Sequence, residues 1–188
     1  MQENARPSLT QTDEGPPRRA RLTRELRTRT GIDEAMIERL VHRFYDRVRA
    51  DPLLAPIFVA RIADWGPHLE KMRAFWSSVA LMTGRYHGQP VVAHRDLPIG
   101  AGHFDRWLAL FRETATAECP PVAAGHFIER AERIAESLEL SAAVHRGDPL
   151  PPPRTQPSRT RARTLAGDAR PADARHSVQT DRTEGETR

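Results

Sequence analysis

Residues 33–50 read DEAMIERLVHRFYDRVRA, and their apolar side chains recur at steps of three and four: Met36, Ile37, Leu40, Val41, Phe44, Tyr45 and Val48. That period gathers them on one stripe of an α-helix and leaves the charged residues on the opposite face. Asp33 stands where a carboxylate caps free backbone N–H groups, and Pro52 closes the run. A stripe this wide must be covered, so the neighbouring chain is expected to bring other helices to it.

Downstream, DPLLAPIF (51–58) reads as a turn and short connector ending in Phe58. A second helix is expected after Asp64, with Pro67 tolerated in its first turn. Trp65, His68, Leu69, Met72, Phe75, Trp76 and Val79 share one of its faces, and Gly84 is the expected stop. The loop GRYHGQP (84–90) leads into a short segment, PVVAHRDLP (90–98). A third helix, from about Ala101 to Ala117, turns Phe104, Trp107, Leu108 and Phe111 inward, and Pro120-Pro121 breaks it. A fourth, about 121–143, carries Val122, Phe127, Ala131, Ile134 and Leu138. No run alternates with period two for long enough to make a strand, and no internal repeat occurs. The expected class is all-α, with four substantial helices.

Apolar residues thin out at both ends. The first ~20 residues are too polar to offset the entropy of ordering. Residues 20–30 have only Leu22 and Leu26 to dock a short helix, and the chain from Gly147 onward is rich in Pro and Arg. The expected division is a mostly disordered extension over 1–31, a folded domain over 32–144 and a disordered Pro/Arg-rich tail over 145–188. Charge divides the same way. Residues 1–31 hold seven Arg and four acids (+3), residues 32–142 thirteen basic residues and fifteen acids (−2), and residues 143–188 nine Arg and six acids (+3). Basic charge dispersed in tails is a weak signal for nucleic acid compared with a stripe on a folded face. Cys119 is the single cysteine, which excludes an intramolecular disulfide framework. With neither a signal-peptide stretch nor a membrane span in the sequence, a cytoplasmic location is the expectation.

Enzyme signatures are missing: there is no Gly-rich phosphate loop with lysine, no G-x-S-x-G and no H-E-x-x-H. Three polar side chains stand out instead, because they lie on apolar stripes. His68 heads the stripe of the second helix, Tyr45 lies on that of the first, and Trp107 adds an indole N–H on the third. Each can be a satisfied core residue. Three polar tips pointing inward from three helices are costly in an ordinary core and reasonable around a polar ligand. Spacing does not name that ligand.

Four motifs carry the reading further: FYDRVRADPLLAPIF (44–58), DWGPHLEKMRAFWSSV (64–79), TGRYHGQPVVAH (83–94) and HFDRWLALF (103–111). In their order and spacing, from Ile32 to about Leu140, the chain resembles the group III truncated haemoglobins, a bacterial branch of the globin superfamily. The resemblance implies a truncated globin fold, in which a two-over-two helical sandwich encloses haem b. It implies His94 as axial iron ligand and Tyr45, His68, Trp107 and Met72 as the distal wall. Phe58, Phe75 and Trp76 match residues that pack on the haem. Arg85, Tyr86, His87 and Arg95 are candidates for its carboxylates, with Lys71 and Arg73 behind them.

A single axial histidine leaves the opposite iron position open for gas. The function implied is reversible binding of O₂, with NO and CO also able to bind, for transport or storage. Donors such as Tyr45 and Trp107 stabilise a ligand with partial negative charge by roughly 1 kcal/mol each. The same site suits an enzyme of NO detoxification or peroxidase-like chemistry, served by a reductase that the sequence does not identify. A third reading, a haem-free helical interaction module whose basic tails bind nucleic acid, draws only on the tails. Nothing in the sequence sets an oligomeric state.

Overall fold

In the computed structural model, which describes residues 17–151, the chain forms seven helices: α1 (Arg18–Thr30), α2 (Glu34–Ala50), α3 (Ala55–Arg61), α4 (Trp65–Leu81), α5 (Pro90–His94), α6 (Ala101–Glu118) and α7 (Pro121–Arg146). There is no strand among the described residues. The expected disorder of residues 1–16 and 152–188 lies outside them.

The stripe of α2 is buried along its whole length, and Asp33 caps the helix by accepting from the Met36 N–H at 2.7 Å. Ile37 and Leu40 are fully buried, and burial of such a side chain contributes about 1.5–3 kcal/mol. Asp64 caps α4 in the same way, accepting from Gly66 N–H at 2.9 Å. The end of α4 corrects the sequence reading. The helix stops at Leu81, capped by Met82 in the left-handed conformation at φ 59°, while Gly84, also left-handed at φ 71°, lies in the loop beyond. Side chains explain the early stop. Ser77 Oγ and Thr83 Oγ1 are 2.8 Å apart, and Tyr86 N–H donates to Ser78 Oγ at 2.8 Å, which folds the following loop back onto the helix. From α7, His126 Nε2 lies 2.9 Å from Ala80 O, and Arg130 Nε donates to Val79 O at 3.1 Å, satisfying carbonyls near the helix end.

The connector after Pro52 and the segment around His94 prove helical as α3 and α5. Asp51 organises the first of these. Its Oδ1 accepts from the N–H groups of Leu53 and Leu54 at 3.1 and 3.0 Å, and its Oδ2 accepts from Arg106 Nε of α6 at 2.6 Å.

The long helices form two packed pairs, α2 with α4 and α6 with α7, which also meet through α2 against α6 and α4 against α7. This is the two-over-two sandwich of a truncated globin. A ladder of rings runs through the centre: Trp107 stacks on Phe111 at 5.3 Å, and Phe111 stacks on Trp76 at 4.7 Å. Val122, expected to face inward, is 63% exposed at the start of α7. The segment before α2 is helical from Arg18 and packs on α4 and α7, with Leu26 buried and Leu22 half-buried. No helix among the described residues is long and apolar enough to cross a membrane.

Candidate functional site

The four long helices do not close on one another completely. Between them, α3 and α5 lies a cavity of about 410 Å³. That size falls within the roughly 300–1,000 Å³ typical of small-molecule and cofactor sites. Tyr45 of α2, Phe58 of α3, Trp76 of α4, His94 of α5, Trp107 of α6 and Leu138 of α7 all face it. Its lining is mainly apolar, with a few polar tips.

His94 is the last residue of α5, a helix started by Pro90 at its first position. Its Nδ1 lies 2.7 Å from Pro90 O. A carbonyl only accepts, so Nδ1 carries the proton, and Nε2 of the neutral ring keeps its lone pair. A histidine ligand is commonly oriented in this way, by a hydrogen bond from its other nitrogen to a carbonyl.

Tyr45 is buried, with rings on several sides: Phe58 at 5.9 Å, Trp65 at 6.0 Å and His68 at 5.0 Å, the last edge-on at 90°. Burial pushes the Tyr45 pKa well above the usual phenol range, so the hydroxyl keeps its proton and remains a donor. His68 lies in α4, and its Nε2 is buried without a hydrogen-bond partner. Burial first, and then the charge of Lys71, lowers the His68 pKa and favours the neutral ring. An orphaned nitrogen on a cavity wall is costly unless an occupant of the cavity completes it. Trp107 is held against Phe44 at 5.2 Å and Phe111 at 5.3 Å.

Of the other residues singled out in the sequence, Met72, Phe75, Trp76, Tyr86 and Lys71 line the cavity. Arg85 and Arg95 do not. Arg85 is drawn away to Glu34 at 3.2 Å, and Arg95 is exposed beyond the end of α5. His87 is exposed as well, and Arg73 pairs with Glu38 and Glu70 at 3.2 and 2.8 Å. Tyr86 lies across Gly88, where any Cβ would collide with its hydroxyl. Sequence reading passed over Arg61 and His103, both of which line the cavity. His103 stood inside a quoted motif, four residues before Trp107, and that spacing was its available signal. Ile134 and Leu138 looked like ordinary core positions and also face the cavity.

These residues fit a haem. The cavity has one histidine with a free, oriented lone pair, an orphaned imidazole nitrogen and two cations, Arg61 and Lys71, suited to carboxylates.

Comparison with known proteins agrees with this class. The bacterial-like globin family profile matches residues 28–138, and the chain belongs to that family. Membership implies a haem cofactor and a diatomic gas as ligand. Its similarity reaches the group III truncated branch. The chain is 34% identical over 113 residues to group 3 truncated hemoglobin ctb of Campylobacter jejuni, an alignment spanning 57% of this chain and 89% of that protein. The crystal structure of group III truncated hemoglobin from Campylobacter jejuni matches with a TM-score of 0.54 at 34% identity, covering 57% of this chain and 89% of the other.

Proposed function

We propose that this chain is a b-type haem protein that binds O₂ reversibly, with NO and CO as competing ligands, and that His94 holds the iron. One observation carries the reading. His94 lines the cavity with Nδ1 committed to Pro90 O at 2.7 Å, which leaves Nε2 as a free lone pair. When bound, haem supplies an iron with an open coordination position for a diatomic gas.

The chain's own side chains do the rest. Tyr45 and Trp107 are donors, and the neutral His68 ring offers one nitrogen of each kind. Donors of this sort favour a gas carrying partial negative charge over a neutral one. Phe58, Met72, Phe75 and Trp76 form an apolar wall that would hold the macrocycle and exclude water. Arg61, Lys71 and the Tyr86 hydroxyl are the groups assigned to its carboxylates. Arg85, paired with Glu34, is assigned to pinning the loop before α5.

A second reading rests on the same polar wall. Tyr45, His68 and Trp107 also suit a bound peroxide or a reaction with NO, which makes NO detoxification or peroxidase-like turnover the alternative. The reduced protein under air separates the two. A spectrum that persists for hours without peroxide consumption is expected for binding and storage. Decay within minutes together with sustained peroxide consumption supports the enzyme.

A further inference from the structure

Three histidines line the cavity: His68, His94 and His103. Backbone groups hold the last two in opposite tautomers. At His94, Nδ1 faces the Pro90 carbonyl, which can only accept, so Nε2 presents a lone pair. At His103, Nδ1 accepts from the Gly100 N–H at 3.1 Å, so in the neutral ring Nε2 carries the proton. The His103 N–H in turn donates to Gly100 O at 2.9 Å, a reciprocal pair that fixes the start of α6. The lone pair of His103 is therefore committed to the backbone. It offers the cavity an N–H donor and no ligand for a metal.

We propose that His103 is a further binding residue of this cavity, donating through Nε2 to a carboxylate of the haem beside Arg61, Lys71 and Tyr86. The inference rests on the haem reading above. The polar groups at the periphery of haem b are its two carboxylates, so a donor on the wall that cannot ligate iron finds its acceptor there. The polar wall assigned to the gas is a separate group. Tyr45 and Trp107 both pack on Phe44, at 5.1 and 5.2 Å, and Tyr45 contacts His68 at 5.0 Å. Among the described residues His103 has no ring contact with any of them. It is half-buried in the first turn of α6, next to the loop that follows His94.

Two substitutions separate the two ring nitrogens. His103→Asn puts an amide oxygen where Nδ1 accepts from Gly100 and leaves nothing at the Nε2 position. His103→Gln carries an amide N–H toward the Nε2 position and gives up the bond to Gly100. The full chain and both variants are loaded with hemin, and loss of hemin to excess apomyoglobin is timed. The series is then repeated with hemin dimethyl ester, which lacks free carboxylates. His103→Asn is expected to lose hemin roughly tenfold faster than the original chain, since a hydrogen bond to a charged acceptor is at stake, while His103→Gln stays close to it. With the ester, all three rates are expected to converge. Unchanged hemin loss from His103→Asn overturns the inference, as does a faster loss that persists with the ester. An original chain that takes up no hemin overturns the haem reading, and the inference with it.

Discussion

At Tyr45, burial has a consequence for function. The hydroxyl cannot ionise near neutral pH, and the rings of Phe58, Trp65 and His68 hold its side chain in place. If the hydroxyl serves a gas in the cavity, Tyr45→Phe removes a donor and leaves the packing intact. Trp107→Phe does the same for the indole, at some loss of stacking on Phe111. Each substitution is expected to speed O₂ release by roughly tenfold, the size of one net hydrogen bond to a partly charged acceptor. Stopped-flow displacement of O₂ by CO measures this directly. Unchanged release from both variants contradicts the role assigned to the pair. The proton positions on the His94 and His103 rings differ for a reason that residue type alone does not reveal. The carbonyl of Pro90 and the N–H of Gly100 select their tautomers, and neither backbone group is visible as such in a string of letters.

Asp51 shows how one element is held. Its side chain is 2% exposed, yet it keeps its charge. Burial pushes its pKa up, but the hydrogen bond from Arg106, those from the Leu54 and Leu53 N–H groups, and the Arg106 charge together bring it below the ordinary carboxylate value. A carboxylate with a lowered folded pKa stabilises the fold above its unfolded pKa, and that contribution is lost as pH falls through the folded value. Asp51→Asn should therefore cost stability near neutral pH, about 1–2 kcal/mol for the start of α3 and its tie to α6, and less in acid. Urea unfolding of both proteins at pH near 7 and near 3 checks this. A gap that does not narrow on acidification contradicts the assignment.

The elements differ in how far the sequence revealed them. The apolar period of α2 runs long enough to be read in full, whereas α3 and α5 span seven and five residues and are too short to show a period. The end of α4 falls before the expected Gly84, although glycine is the residue that takes the left-handed conformation most readily. The hydroxyls of Ser77, Ser78 and Thr83 turn the chain before it is reached. Tyr45, Phe58, His68, Met72, Phe75, Trp76, His94 and Trp107 are named as a set by the family resemblance, and all line the cavity, whereas of the loop candidates Arg85, Tyr86, His87 and Arg95 only Tyr86 does. Arg61 and His103 were not legible, because an arginine at a helix end and a histidine in a first turn look like ordinary surface chemistry.

Across the whole molecule, the cavity wall draws on residues from Tyr45 to Leu138, and the pairs α2/α4 and α6/α7 both contribute. Residues 152–188 lie outside the described residues. Removing them is expected to leave hemin uptake and the urea midpoint unchanged, measured by titration and by unfolding of the shortened chain. Any salt-sensitive binding to nucleic acid should vanish with them. Loss of hemin uptake on shortening contradicts this division.

The absorption spectrum of the chain supplemented with hemin, reduced and then exposed to CO, beside His94→Ala, tests the central claim most directly. A stoichiometric Soret band that sharpens and shifts with CO, and that is lost or grossly altered in the variant, is the expected result. No stoichiometric haem, or the same spectra from both proteins, contradicts the assignment of His94 as the residue that holds the iron.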